Sequence, residues 1–144
     1  MLKLPTVILH HKTFTGTHYD WLWLDPVTRN HLQGFRIPYP PNQWQNQGAF
    51  LATPLPPHRL IYLNYQGKIA NHRGSVTQIA KGFVQGNRIG QVGYDWQLFK
   101  VSGTFSVDPK LKGSDPVSIM PRIRLMPIHN KRWRVTILTN PFKS

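Results

Sequence analysis

Strand signals recur along this chain, and helix signals are scarce. Short runs rich in β-branched and aromatic residues follow one another with turn residues between them: TVILHH, HYDWLWL, HLQGFRI, LIYLNYQ, GSVTQIA, DWQLFKV, GTFSVD, SIMPRIRL and RWRVTILT. That is the pattern of strands joined by turns. Glutamate is absent, and thirteen prolines and eleven glycines interrupt the chain. No apolar pattern at helical spacing is sustained for three turns. Nine short strands in 144 residues specify an all-β fold, an antiparallel barrel or sandwich with short helical turns at most. With no internal repeat and no sharp shift of composition, residues 1–144 read as a single domain. Five Trp, seven Phe and five Tyr provide bulk for one core. Trp21, Trp23, Trp96 and Trp133 are assigned to it or its rim. The segment PYPPNQWQNQGAFLATPLPP, residues 38–57, reads as a long surface connection, in which Trp44 is a candidate for stacking an unpaired base.

Charge narrows the partners. Eighteen Lys and Arg stand against five Asp, a formal charge of +13, and a field of one sign favours a polyanion. Nucleic acid, DNA or RNA, is the partner expected ahead of anionic lipid or acidic protein. With no cysteine, disulfide frameworks, thiolate zinc sites and thiol nucleophiles are excluded. The opening MLKLPTVILHHKT has no basic leader followed by an apolar stretch, and no run approaches the ~18 apolar residues of a membrane span. A soluble, cytoplasmic, monomeric chain with no membrane partner is expected.

Scarcity of acids makes the placement of Asp20 informative. The stretch VILHHKTFTGTHYDWLWL holds three of the seven histidines and one of the five acids. On a strand, Asp20 shares its face with His18, Leu22 and Leu24, while Tyr19, Trp21 and Trp23 take the other. If the preceding segment pairs antiparallel through the KTFTGT turn, either His10 or His11 approaches Asp20, and only one of them can. Imidazole with carboxylate suits a borderline divalent ion such as manganese or zinc, and a third ligand would complete a partly open site. His58, in LPPHRLIYLNYQGKI, is the candidate. If that run is extended, Leu60, Tyr62 and Asn64 share its face.

HYD at 18–20 after a His-rich segment, His58 and Tyr62 in an H-x-x-x-Y pair, YQG at 65–67 and RGSV at 73–76 together resemble the phosphoesterase domain of bacterial DNA ligase D. The likeness is to its diverged stand-alone members. DWQLFKVSGTFSV and KRWRVTIL are similar to the strands that finish that family's barrel. The resemblance implies a compact, mostly antiparallel β-barrel, with manganese ahead of zinc as cofactor. It implies metal roles for His10 or His11, for Asp20 and for His58, and catalytic roles for His18 (acid-base or phosphate contact) and Tyr62. It also implies a hydrolase of the DNA-repair type that removes a 3′-phosphate or 3′-ribonucleotide, alongside other repair proteins. The family pattern HYD-x-R-L-E reads HYDWLWL here, so its arginine and glutamate fall on Leu22 and Leu24, and a second family arginine falls on Phe50.

A phosphate therefore needs other cations, and guanidinium binds it through paired hydrogen bonds. Arg59, Arg73 and Lys68 are the candidates, with Lys12 and Arg36 as further options. Gly67 and Gly74 read as turn or bulge positions. Two function classes follow: a metal-dependent 3′-phosphoesterase or nuclease, and a basic β-barrel nucleic-acid-binding module whose catalytic equipment has decayed. An unpaired carboxylate among apolar residues costs several kcal/mol, which favours a bound cation at Asp20.

Overall fold

The computed structural model of the chain describes residues 2–90, 92–103 and 121–138. The strands are β1 (Leu2–Thr13), β2 (Gly16–Leu24), β3 (Leu32–Ile37), β4 (Ala49–Pro54), β5 (Gly67–Lys68), β6 (Ser75–Ile89), β7 (Gly93–Gly103), β8 (Arg122–Pro127) and β9 (Trp133–Leu138). One short helix, α1 (Trp44–Gln47), precedes β4. Neighbours pair antiparallel in the order β1-β2-β3-β4-β9-β8-β7-β6-β5, and a further pairing of β1 with β6 closes eight strands into a barrel. The two residues of β5 lie outside that circle, on the end of β6 that β7 does not reach. The chain is thus an all-β antiparallel barrel. Among the described residues, no helix is long and apolar enough to cross a membrane.

Alternation decides what fills the barrel. Leu4, Thr6 and Ile8 of β1 point inward beside Trp21 and Trp23 of β2, and Phe35, Val84, Trp96, Ile123, Leu125 and Val135 join them in one buried cluster. Trp23 packs edge-on to Trp21, Tyr94 and Trp96, with ring centroids 5.1, 5.3 and 5.9 Å apart. The edge-to-face arrangement sets each ring's positive rim against a negative face. The Trp21 indole N–H donates to Thr6 Oγ1 at 2.9 Å, and Thr6 donates on to the Leu22 carbonyl at 2.6 Å, so the buried polar atoms of this pair are satisfied. Truncating either Trp21 or Trp23 to Ala would cost about 3–5 kcal/mol.

Three expectations are corrected. Residues 38–57 are not one surface connection, because AFLATP forms β4, with Phe50 and Ala52 inward and Leu51 and Thr53 outward. Trp44 is no base-stacking platform. It is fully buried in α1, 5.5 Å from Trp21, with its indole N–H on the Tyr39 carbonyl. LIYLNYQ is not extended either: Leu60–Leu63 is a 3-10 turn. Pro56 and Pro57, which cannot donate to a ladder, take the chain out of the sheet after β4, leaving only a two-residue bridge between His58 and Leu32. GTFSVD beyond Gly103, and the start of SIMPRIRL, lie outside the described residues.

Where residues 55–73 travel explains a second buried layer. Val7, Leu9, Leu22, Leu24 and Leu32 point away from the barrel interior, yet all are buried. Leu55, Tyr62, Leu63, Tyr65 and Ile69 pack down as partial cover. Gly34, opposite Leu22 in the register, leaves room for this layer, since a Cβ there would lie 2.7 Å from Leu22 Cδ2. The candidate site sits at the edge of the layer, where apolar cover gives way to histidines.

Candidate metal centre

The β1–β2 register sets Leu9 opposite Asp20 and His11 opposite His18. Opposite residues in an antiparallel pair share a face, so His11, His18 and Asp20 converge on the outer wall. His11 Nδ1 is 2.9 Å from His18 Nε2 and 3.6 Å from Asp20 Oδ2, and His18 Nε2 is 3.2 Å from Asp20 Oδ1. On its other edge β1 is paired with β6, His11 against Val76, so the hairpin is held from both sides. His10 pairs with Tyr19 and stacks on its ring at 4.8 Å, on the opposite face from Asp20. Between the two neighbouring histidines, the structure brings His11, not His10, to the carboxylate. Burial first, then Lys12 and the other two rings, pushes the His10 pKa below its ordinary value, which keeps that ring neutral at pH 7.

The hydrogen bonds fix which nitrogen of His11 is free. Its Nε2 lies 2.7 Å from the Arg73 carbonyl. A carbonyl only accepts, so Nε2 carries the proton and Nδ1 keeps its lone pair toward His18 and Asp20. A backbone carbonyl behind the ring is the arrangement that orients a metal-binding imidazole. Gly74 makes it possible: at φ +89 a Cβ would fall 1.8 Å from the Lys12 carbonyl, so only glycine lets the turn close on β1 there.

Asp20 is 3 % exposed, and its Oδ1 has no hydrogen-bond partner, because the 3.2 Å approach of His18 lacks hydrogen-bond geometry. Ligand atoms of His11, His18 and Asp20 all lie within 4.8 Å of one another. Asp20 has one buried oxygen without a donor, 3.2 Å from His18 Nε2, and the other 3.6 Å from the lone pair of His11 Nδ1, an arrangement that fits a positive charge among the three groups. The group could hold a metal ion.

A cavity of about 610 Å³ opens from this group, and Asp20, His11, Arg36, His58, Arg59, Tyr62 and Arg73 line it. His58 Nδ1 donates to the Pro56 carbonyl at 2.8 Å, which leaves its Nε2 as the lone-pair nitrogen, and Tyr62 meets the ring edge-on at 5.7 Å. His58 shares the cavity with Asp20 but is outside the compact group of three. Arg59, Tyr62 and Arg73 also line a smaller adjoining cavity of about 200 Å³, where Lys68 is found. Arg73 Nε donates to the Ala70 carbonyl at 3.0 Å. Arg36 stands opposite Asp20 in the β2–β3 register. Lys12 takes the His10 side of β1 and is absent from the cavity wall. Leu22 and Leu24 are buried in the apolar layer.

Sequence reasoning missed two features of the site: the Arg73 carbonyl, a backbone atom with no sequence signal, and the place of His18 inside the donor group. The second had a signal, because a two-residue turn at Phe14 and Thr15 puts His18 opposite His11. No family model matches the chain, and no curated protein matches it.

Proposed function

We propose that the protein is a metal-dependent phosphoesterase that acts on 3′ ends of nucleic acid, removing a 3′-phosphate or a 3′-ribonucleotide. The observation that carries the reading is the convergence of His11 Nδ1, His18 Nε2 and Asp20, with Asp20 Oδ1 left without a donor, on a cavity rimmed by arginines. The motif order HYD, H-x-x-x-Y, YQG and RGSV, which resembles the ligase D phosphoesterase domain, points to the same chemistry. Two nitrogens and a carboxylate suit a borderline divalent ion, manganese or zinc, and the family resemblance puts manganese first. A divalent ion held there supplies Lewis acidity toward the phosphate oxygens.

The chain's own groups account for the rest. Arg36, Arg59 and Arg73 neutralise the phosphate dianion through charge-assisted hydrogen bonds. His58, oriented by the Pro56 carbonyl, takes a proton at Nε2 from the attacking water. The water oxygen bonds to phosphorus, the bond from phosphorus to the sugar 3′ oxygen breaks, and the proton passes to that leaving oxygen. Tyr62, edge-on to His58, holds the ring in place. The test is incubation in manganese with primers ending in 3′-phosphate, 3′-ribonucleotide and 3′-hydroxyl. Turnover of the first or second that EDTA abolishes is expected; tight binding with no turnover in manganese or zinc would sink the reading.

The second reading is a nucleic-acid-binding module. One observation favours it: Leu22, Leu24 and Phe50, which stand where the resembling family carries charged residues, are all buried apolar side chains. Phosphate contacts would then come from exposed cations alone, giving salt-dependent binding with no product.

A further inference from the structure

The outer face of β3, β4, β9 and β8 carries arginines arranged in line with the candidate site. Phe35, Ala52, Val135 and Leu125 point into the core from these strands, and the alternate positions Arg36, Leu51, Thr53, Arg134, Arg124 and Arg122 are exposed. Register orders them. Arg36 faces Thr53; Leu51, one same-face step before Thr53, faces Arg134; Arg134 faces Met126; and Arg124 and Arg122 follow Met126 in two further same-face steps. Each crossing adds about 4.8 Å sideways and each same-face step about 6.7 Å along the strand. Arg36, Arg134, Arg124 and Arg122 therefore descend one diagonal, with successive separations of about 12, 8 and 7 Å on a flat-sheet estimate. The line begins at Arg36, which is itself in the cavity wall.

The four strands contain no acid. Asp95 on neighbouring β7 is held by Arg122 through two hydrogen bonds of 2.8 and 2.6 Å and is touched by Arg124 at 3.4 Å. Arg36 and Arg134 have no carboxylate partner among the described residues. The line therefore carries four guanidiniums against the single carboxylate of Asp95, on a protein of net charge +13, and a chain of phosphates offsets that excess of one sign.

We propose that this face is the track for the sugar-phosphate backbone of a nucleic-acid strand whose 3′ end enters the cavity. The occupant is a single strand or single-stranded tail of several nucleotides, not a mononucleotide. The direction of the strand rests on the phosphoesterase reading; the track itself does not.

The experiment compares wild type, Arg124→Ala/Arg134→Ala and a control that loses the same charge elsewhere, Arg29→Gln/Lys131→Gln, at two turns. Affinity for a fluorescent ten-nucleotide strand is read by anisotropy across a salt series. Each lost single-strand phosphate contact lowers the log-log salt slope by about 0.7. The track variant should therefore lose about 1.4 in slope and more than about tenfold in affinity at 0.1 M salt, while the control keeps its slope. With 3′-phosphorylated substrates in manganese, the track variant should raise KM for the oligonucleotide and leave kcat and KM for a 3′-mononucleotide unchanged. Equal slope loss in track variant and control, or none in the track variant, overturns the proposal, as does an equal KM rise for the mononucleotide. If wild type turns over neither substrate, the phosphoesterase reading fails and the salt slopes still decide the track. Arg134→Ala alone, with half the slope change expected, keeps the test open if the double variant unfolds.

Discussion

Asp20 and Asp25 sit five positions apart, both are buried at 3 % and 5 % exposure, and both lie beside histidine. Their surroundings are opposite. Asp25 Oδ1 accepts from the backbone N–H groups of Val27 and Thr28 at 2.8 and 3.3 Å, and Oδ2 accepts from Gln33 at 3.1 Å and lies 2.9 Å from His31 Nε2. Every lone pair of consequence is used to shape the turn from β2 into β3. Asp20 meets only imidazole nitrogens, one of which faces it with a lone pair, and its Oδ1 has no donor at all. A carboxylate satisfied by its own fold is structural, whereas one left short of donors in the same degree of burial could accept a cation.

The largest effect that could break this comparison is at Asp20. Asp20→Ala should weaken manganese or zinc binding by at least about 100-fold, since loss of a supporting group alone costs 10–100-fold, and should abolish 3′-end turnover. Calorimetric titration reads the first. Without metal the variant should melt within about 1 kcal/mol of wild type, or above it, because an uncompensated buried charge is removed. Metal at 100 times the wild-type Kd should stabilise wild type by about 2.7 kcal/mol and the variant by no more than about 0.4 kcal/mol.

Asp25→Ala should do the reverse. Loss of several charge-assisted bonds at a buried turn should cost about 2–4 kcal/mol in urea unfolding, with metal affinity unchanged; His31→Ala should likewise leave metal binding intact. A metal-binding defect in either variant would erase the distinction drawn between the two acids.

Gly74→Ala sharpens the account of Asp20's partners. It forces the Arg73 carbonyl away from His11 Nε2, frees the His11 tautomer, and should lower metal affinity by about tenfold. Titration against wild type measures it, and unchanged affinity would show that the carbonyl does not orient the ring.

Asp95 supplies the smallest effect, being a paired acid near the surface. Hydrogen bonding from Arg122 is the main cause holding its pKa below the ordinary carboxylate value. A depressed folded pKa contributes stability above the unfolded pKa and loses it as pH falls through the folded value. Asp95→Asn should therefore cost no more than about 1 kcal/mol at pH 7, since Arg122 is half exposed, and the difference from wild type should shrink below about pH 4. Melts at pH 7 and pH 3 decide it.

The strands were legible in the sequence where alternation and bulk coincide, as in HYDWLWL and RWRVTILT. Strand β4 was hidden because its alternating AFLATP lies between Gln-rich and Pro-rich stretches, and Trp44 because a polar neighbourhood in sequence says nothing of what a four-residue helix plugs. Asp20 and its histidines were legible as a cluster. The choice of His11 over His10 was not, because it depends on hairpin register, which one residue more or less in the turn would invert. The arginine diagonal was invisible for the same reason: Arg36, Arg134 and Arg124 fall in line only through the registers of three strand pairs.

The central claim is that His11, His18 and Asp20 can hold a cation, with the His11 nitrogen already chosen by the Arg73 carbonyl. Long-range proton–nitrogen correlation spectra of the histidine rings, recorded while zinc is added, test it directly. The account predicts metal-type shifts at His11 Nδ1 and His18 Nε2, with His11 Nε2 remaining protonated against the Arg73 carbonyl and His31 unmoved. Rings of His11 and His18 that do not respond to stoichiometric zinc, or a response confined to other histidines, would contradict it.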